Sequence, residues 1–392
     1  MPTVRADPSF LRILDGLCAL IEGPIGLAVS GGSDSLALLY LTHDWAKSRR
    51  HHLQIYTVDH GLRAGSRQEA QSVAEQAARL GWPHTLLTWH HDDLENHSGP
   101  ENQADPEETV QPISQARARR ARHCLLAEAL RDQGGELLLM GHTLDDQIET
   151  LEMRRRRHGM QSIASQAGMR RFALSPIWPE GRNIFIARPL LERTRASLRT
   201  YLKAQGLAWS DDPTNQSQHY ERVRIRQSLA QYGAQEKEAR IQSYRAAYQT
   251  RRDQDQRLAD WLTHHVIAGP DGVIRCMPGG LDKEDLAEGL AWLLMIAAGT
   301  DKRSDYLSRL KLAEDIIDQP RIWRSRTLGG AWIASRQKQI HIARAPAIRS
   351  HNPFEAKCLT SPQSSEFSKS GAGNSKIWDG RFEIIDTGSA PL

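Results

Sequence analysis

One short stretch constrains this chain more than any other: the apolar run Ile25-Gly26-Leu27-Ala28-Val29 passes directly into Ser30-Gly31-Gly32-Ser33-Asp34-Ser35, after which Leu36 to Leu39 resume an apolar pattern. A buried strand, a Gly/Ser turn and a helix in that order predict the entry to an α/β domain. A helix start leaves several backbone N–H groups unpaired and carries the positive end of the macrodipole, so an anion fits there. Gly31 and Gly32 permit positive φ and close backbone approach, while Ser30, Ser33 and Ser35 add hydroxyl donors. Asp34 is the odd member, because a carboxylate in an anion site is repulsive unless it holds a divalent cation or receives backbone hydrogen bonds. A nucleotide with magnesium satisfies every part. The turn is neither G-x-x-x-x-G-K-S/T nor G-x-G-x-x-G, so the two common nucleotide loops are excluded.

Strand-like runs at Ile25 to Val29, Leu53 to Val58, Thr85 to Trp89 and Glu136 to Met140 alternate with helical patterns. That order predicts an open parallel sheet with helices on both faces, and a ligand site beyond the carboxyl ends of the strands, where Ser30, Asp59 and Gly141 fall. Ser66 and Glu69 read as a capping box, with Ala70, Val73, Ala74 and Ala77 as the apolar stripe behind it. Past residue 230 the pattern turns to long helical segments, Ala234 to His264 and Lys283 to Gln319, then to a hairpin at Ala331 to Ser335 and Gln339 to Ala343. The expected organisation is a nucleotide-binding domain over 1–230, a helical domain over 231–320 and a small β-containing segment over 321–392. Residues 350–376 have linker composition, and Ile377 to Ile385 read as one last strand. Asp92 to Pro112 is acidic, rich in Asn and Pro, and reads as an exposed insertion.

The longest apolar run, Leu290 to Ala298, is far short of the roughly 20 residues of a membrane span, and Arg12, Asp15 and Glu22 interrupt any leader-like stretch. A cytoplasmic location is expected. Cys18, Cys124, Cys276 and Cys358 are scattered without a C-x-x-C pair, which argues against structural zinc or an iron–sulfur cluster. A net charge of +4 says little. Its clustering says more: Arg117, Arg119, Arg120 and Arg122 form one group, Arg154 to Arg157 with His158 a second, and Arg222, Arg224 and Arg226 a third, a distribution that favours a polyanionic partner.

Three further motifs carry chemistry. Asp59-His60-Gly61-Leu62-Arg63 puts an acid, an imidazole and a guanidinium just past the second strand, where Arg63 can stabilise charge on phosphate and His60 can touch nucleotide or RNA. In Gly141-His142-Thr143-Leu144-Asp145-Asp146-Gln147-Ile148-Glu149-Thr150, simple charge stabilisation of a helix start accounts for Asp145. Asp146 and Glu149 share a helix face, and two like carboxylates side by side demand a cation between them, magnesium or, preferably, a substrate ammonium. Arg188-Pro189-Leu190-Leu191 and Asp211-Asp212-Pro213-Thr214-Asn215 punctuate the end of the domain, the second explained largely by turn chemistry.

The string Ser30 to Ser35 resembles the S-G-G-x-D-S loop of the PP-loop ATP pyrophosphatases, which cleave ATP between the α and β phosphates, adenylate an oxygen and let a nucleophile displace AMP. Taken in order, the motifs resemble the tRNA(Ile)-lysidine synthetase branch of that superfamily. Asp59 to Arg63 is similar to D-H-x-L-R, Ala118 to His123 to A-R-x-x-R-Y, Gly141 to Thr150 to G-H-x-x-D-D-x-x-E-T, and Arg188 to Leu191 to R-P-L-L. His123 stands where Tyr is usual, and Val223 where Asn is usual in R-N-x-I-R. The resemblance covers residues 20 to 230 well and the rest in outline.

That resemblance implies that Ser30, Gly31, Gly32, Ser33, Asp34 and Ser35 hold the ATP phosphates, joined by Asp59, His60 and Arg63. It implies that Asp34 places Mg2+, that Arg119 or Arg122 touches the α-phosphate, and that Asp146 and Glu149 bind lysine with Arg222 and Arg226 nearby. Arg154, Arg155, Arg156, Arg157 and Arg188 are then the tRNA-contacting set. The implied cofactors are ATP and Mg2+, and the implied partners are tRNA(Ile) with a CAU anticodon and free L-lysine, with no membrane and with a homodimer among the assemblies allowed. The implied reaction adenylates the wobble cytidine and displaces AMP with lysine. Three rivals remain at this stage: a tRNA thiolase, which needs placed cysteines; an ammonia-using synthetase, which needs neither paired acids nor basic clusters; and a non-catalytic RNA-binding module, which has no use for intact Asp34, Asp146 and Glu149.

Overall fold

A computed structural model describes residues 8–18, 21, 23–59, 61, 66–89, 115–158, 167–177, 180–210, 221–268, 272–300, 302–318, 325–336, 339–345, 375–378 and 382–385. The chain divides into two compact units, the first built from Met1–Gly159 and Gly168–Gln242, the second chiefly from Ser243–Pro391.

In the first unit, β1 (Ile25–Ala28), β2 (Leu53–Asp59), β3 (His84–Thr88), β4 (Leu137–Met140), β5 (Phe172–Leu174) and β6 (Phe185–Ala187) form one sheet in the order β3-β2-β1-β4-β6-β5. All neighbours are parallel except β5 and β6. The four predicted strands are therefore present; β5 and β6 are additions that three-residue runs could not announce. β4 is buried along its whole length, as its unbroken Leu137-Leu138-Leu139-Met140 requires of a strand covered on both faces. The period of two shows in the cores: Leu137 and Leu139 join Leu27, Leu53 and Ile55 on one face, whereas Leu138 and Met140 join Tyr56, Leu126 and Leu130 on the other.

Helices cover each face. α1 (Pro8–Cys18), α2 (Ser33–Arg49) and α3 (Ser66–Leu80) contribute Phe10, Leu14, Leu36, Leu39, Trp45, Val73 and Ala77 to the first core, and α4 (Gln115–Asp132) builds the second. Each fully buried Leu stabilises this arrangement by about 1.5–3 kcal/mol, so the α2 N-terminus is held firmly against the sheet. From β1 the chain winds outward through β2 to β3, then returns to add β4 on the other side of β1. Their carboxyl ends, paired in register at Ala28 and Met140, flank a topological switch point. Ser30 and Gly141 both open from it.

In the second unit, β7 (Val266–Ala268), β8 (Ile274–Cys276), β9 (Arg326–Leu328), β10 (Ala331–Arg336) and β11 (Gln339–Arg344) form an antiparallel sheet in the order β7-β8-β11-β10-β9. The predicted hairpin is β10 and β11. One core unites Ile333, Ile340 and Ile342 of that sheet with Leu290, Leu294, Leu312 and Ile316 of the helices. The stretch expected as one helical segment from Lys283 to Gln319 is two helices, Lys283–Ala298 and Tyr306–Asp318, because Gly299 turns left-handed at φ 70° and ends the first. The last expected strand is likewise two short ones, Ser375–Trp378 and Phe382–Ile385, paired antiparallel. The insertion at 92–112, His60, Arg63, the 211–215 turn and most of the 350–376 linker lie outside the described residues. Among the described residues no helix is long and apolar enough to cross a membrane.

Candidate active site

Between β1 and α2, Gly31 adopts φ +85°, a conformation open to glycine and strained for other residues. Gly32, expected to share that freedom, is extended at φ −72°. Its value is space: a side chain built there would find no neighbour closer than 3.8 Å, so the groove over the turn is open to an anion. Gly32 is also the N-cap of α2 and supplies no side-chain cap, which leaves the helix's first N–H donors to whatever binds above them. The serines brace the turn. Ser35 Oγ donates to the Gly32 carbonyl (3.1 Å) and receives the Ser30 N–H (3.1 Å), while Ser33 Oγ donates to Asp34 Oδ1 (3.1 Å). The Ser210 N–H donates to the Gly31 carbonyl (3.0 Å), pinning the turn from the far side.

The second cluster begins at the N-terminus of α5 (Leu144–His158), just past β4. Thr143 N–H and Oγ1 both donate to Asp146 Oδ2, at 2.9 and 2.8 Å, a capping box with Asp in the Glu position. Capping therefore accounts for half of Asp146, and Asp145 caps something else: its Oδ2 accepts the backbone N–H of Arg195 at 2.7 Å, the first residue of α6 (Arg195–Ala204). Leu144 N–H donates to the Arg193 carbonyl (2.9 Å) and Thr194 caps α6 through the Ser197 N–H, so the base of Arg195 is fixed.

Its side chain reaches into the switch point. Arg195 Nε donates to Asp34 Oδ2 at 2.8 Å, Nη2 lies 3.4 Å from Asp146 Oδ1, and Nη1 lies 3.7 Å from Glu149 Oε1. The phosphate-turn acid and the helix acid pair thus converge on one guanidinium. Burial alone would lower the pKa of Arg195, but the carboxylates of Asp146, Asp34 and Glu149 outweigh it and hold it above the ordinary arginine value. Glu149, only 2% exposed, is further engaged by Arg226 (2.7 Å) and Arg222 (3.3 Å), both on α7 (Glu221–Ala230). The cation that repulsion between Asp146 and Glu149 demands is supplied first by the chain itself.

A cationic wall adjoins these acids. Arg119 and Arg122 on α4, Arg188 after β6 and Arg222 depress the neighbouring imidazoles: burial first, then Arg122, Arg119 and Arg188, push His123 down to about 3. His142 is lowered well below its ordinary value by burial, then by Arg188, Arg122, Arg119 and Arg222. Arg122 itself is pushed down to about 10, by burial and then by Arg119 and Arg222. Its buried Nε has no hydrogen-bond partner among the described residues, an unsatisfied donor of the kind an anion completes. Arg188 Nη1 donates to the Arg170 carbonyl (2.9 Å), which fixes that side chain within the fold.

The remaining predicted residues are distributed more widely. Asp59 Oδ1 accepts from the Gly61 N–H (2.9 Å) and the Ser66 hydroxyl (2.7 Å), anchoring the start of α3. Glu69 accepts from the Ser210 hydroxyl at 2.8 Å. Along α5 the arginine run is partnered within the fold: Arg155 and Arg156 converge on buried Glu152, Arg157 meets Glu221, and Arg154 Nη1 donates to the Gly168 carbonyl. Among the described residues no cluster of His, Cys, Asp and Glu has the makings of a metal site. Cys18, Cys124 and Cys276 are buried free thiols.

The chain matches the PP-loop domain family over residues 12–232. A tRNA(Ile)-lysidine synthase of Hyphomonas neptunium is 40% identical over 346 residues, covering 88% of this chain and 87% of the relative. This chain belongs to the tRNA(Ile)-lysidine synthase family. A second tRNA(Ile)-lysidine synthase, from Ruegeria pomeroyi, is 33% identical over 374 residues, covering 92% of this chain and 76% of that one. Among solved structures, a U34-tRNA thiolase from Methanococcus maripaludis aligns with a TM-score of 0.47 at 15% identity, over 62% of this chain and 77% of that one.

As a member of the tRNA(Ile)-lysidine synthase family the chain is an enzyme with an ATP-binding PP-loop domain. One residue central to its site went unread in the sequence. Arg195 lies outside every motif quoted, within Arg193-Thr194-Arg195, a string that reads as an ordinary capped helix start. No local signal marks it, because the sequence already offers Mg2+ for Asp34 and a substrate ammonium with Arg222 and Arg226 for Asp146 and Glu149, and so calls for no further cation.

Proposed function

We propose that this enzyme ligates free L-lysine to carbon 2 of the wobble cytidine of tRNA(Ile) bearing a CAU anticodon, through an adenylated cytidine, with release of pyrophosphate and AMP. The modified base would pair with A instead of G, changing the codon and amino-acid specificity of the tRNA from methionine to isoleucine. One observation carries the reading: Asp34 of the phosphate turn and the pair Asp146 and Glu149 of another element face the same guanidinium, so an anion over the turn and an amine beside the pair would be neighbours.

In this reading the open groove over Gly32 and the uncapped α2 N-terminus receive the triphosphate. A single carboxylate beside phosphate oxygens is how magnesium is held in nucleotide sites, and Asp34 fits that donor set; the ion would neutralise phosphate charge there. The cytosine 2-carbonyl oxygen attacks the α-phosphorus in line, with Arg119 and Arg122 facing the charge that develops. Carbon 2 then becomes electrophilic. Asp146 and Glu149 hold lysine, whose ε-ammonium passes a proton to a nearby carboxylate or to the AMP phosphate oxygen before the amine attacks carbon 2 and expels AMP. An anticodon loop suits the Arg-rich surface because its bases splay and are read on their edges. Arg154 to Arg157 are assigned to tRNA, as is the helical region 231–320, with the reaction placed in the cytoplasm; Arg188, expected among the tRNA contacts, is buried and held by the Arg170 carbonyl, and belongs instead to the cationic wall of the site.

The test is purified protein with ATP, radiolabelled lysine and a tRNA transcript with a CAU anticodon. Label is expected in the tRNA together with AMP and pyrophosphate. Glu149→Gln is expected to retain tRNA-dependent ATP–pyrophosphate exchange while raising the lysine requirement at least ten-fold. ATP cleavage without lysine incorporation would overturn the reading.

A further inference from the structure

The three acids and their three guanidiniums are balanced: Asp34, Asp146 and Glu149 face Arg195, Arg222 and Arg226. A cationic amine entering beside acids already matched in number, with the guanidiniums of Arg119 and Arg122 adjoining Arg222 and against a glutamate 2% exposed, brings an uncompensated charge out of water. We propose that Arg195 is an exchangeable counter-ion: it holds Asp146 and Glu149 until phosphate over the adjacent turn draws its guanidinium away, so that lysine binds well only when nucleotide is bound. This rests on the lysine-ligating reading and adds an order to it.

Three observations carry the inference. Arg195 is fixed at its base, by Asp145 on its N–H and by Leu144 on the preceding carbonyl segment, so the side chain alone is the moving part. Its contacts are uneven, with Nε close to Asp34 at 2.8 Å and the Nη atoms at 3.4 and 3.7 Å from Asp146 and Glu149, so the looser bonds are those to the amine-binding acids. One helical turn further along α6, Arg199 Nε lies 3.4 Å from Ser33 Oγ, so the face of α6 that carries Arg195 already borders the phosphate turn. A guanidinium between carboxylates and a phosphate chain has a planar fork that suits either. Phosphate brings the negative charge that lets Arg195 leave without stranding it. Because linkage is reciprocal, lysine must then tighten nucleotide by the same factor. Arg195 is a positioning residue in this scheme.

Equilibrium dialysis of labelled lysine against the full chain tests it, with and without Mg2+ and α,β-methylene-ATP, an analogue that resists cleavage at the α–β bridge. Wild-type protein is expected to bind lysine at least ten-fold tighter with the analogue. Arg195→Ala is expected to bind lysine equally with and without it, at close to the wild-type analogue-bound affinity, because the acids are already free. Arg195→Lys, which keeps the charge and loses the fork, is expected to restore part of the dependence and guards against a misfolded alanine variant. A full ten-fold dependence in both variants, or none in the wild type, would overturn the counter-ion. If the wild type neither binds lysine nor transfers it to tRNA, the lysine-ligating reading falls as well; if it transfers lysine normally while the variants keep the dependence, the counter-ion alone falls.

Discussion

His123 shows what a single side chain costs this fold. It is 2% exposed, and neither ring nitrogen has a hydrogen-bond partner among the described residues. Burial, with Arg122, Arg119 and Arg188 around it, keeps it neutral down to about pH 3. Unfolded, the same imidazole takes a proton near pH 6.5. Between those values the unfolded state binds more protons, so stability is full above pH 6.5 and falls as pH drops towards 3. His123→Phe removes two desolvated polar atoms and puts a somewhat larger planar ring in their place. It is expected to raise stability by about 1 kcal/mol at pH 7, with the gain growing by up to about 1.4 kcal/mol per pH unit below 6.5. Urea midpoints at pH 7 and pH 5 measure both; an equal difference at the two pH values would show that the imidazole is solvated or protonated in the folded protein.

At the scale of elements, the site depends on how closely the turn after β4 approaches the start of α2. A Cβ at Gly141 would lie 3.0 Å from Ser35 Cα and 3.1 Å from the carbonyl carbon and oxygen of Asp34, and backbone cannot yield as a side-chain end can. Gly141→Ala is therefore expected to push the phosphate turn outward at a cost of about 1–3 kcal/mol. It should raise KM for ATP at least ten-fold while moving KM for lysine much less, since Asp146 and Glu149 ride on α5; steady-state kinetics with each substrate varied separates the two, and equal KM values for mutant and wild type would remove the contact from the mechanism. The alternation of apolar runs was enough to read β1 to β4: β1 and β4 are the near-continuous apolar runs of central parallel strands, and β2 and the edge strand β3 keep enough apolar residues around Gln54, Thr57, His84 and Thr85 to stand out from the helices. It could not show β5 and β6, whose three residues are too few for a period, and it joined across Gly299 two apolar patterns that a left-handed residue and the polar run Thr300 to Asp305 in fact separate into two helices. Motifs located the acids but not their counter-charge: Arg195 is brought to Asp34 across 161 positions of chain, and no local pattern encodes a distance of that kind.

For the molecule as a whole, the question is which of its arginines remain able to meet a polyanion. Net charge is +4, so recognition must come from local excess. On α5, Arg155 and Arg156 share the carboxylate of Glu152 with Arg240, which also lies 3.7 Å from Glu236, so three guanidiniums meet two acids, and the side chains of Arg155 and Arg156 stay 51% and 43% exposed. Glu152, held down to about 2 chiefly by its hydrogen bond from Arg155 against the opposing effect of burial, keeps them in place, so they are preorganised as well as cationic. Arg157 pairs directly with Glu221, on which Arg224 and Arg156 act only at longer range, and so carries less excess. If about six phosphates of a single-stranded loop are contacted, log affinity for tRNA falls with log salt at a slope of about −4 to −5. Changing Arg155 and Arg156 together to Gln, which keeps donors on Glu152 while removing two charges, is expected to make that slope shallower by about 1.4. Arg157→Gln should change it less than half as much. Filter binding across a salt series reads the slope directly, and a double variant with the wild-type slope would mean that Glu152 holds these arginines for the fold alone.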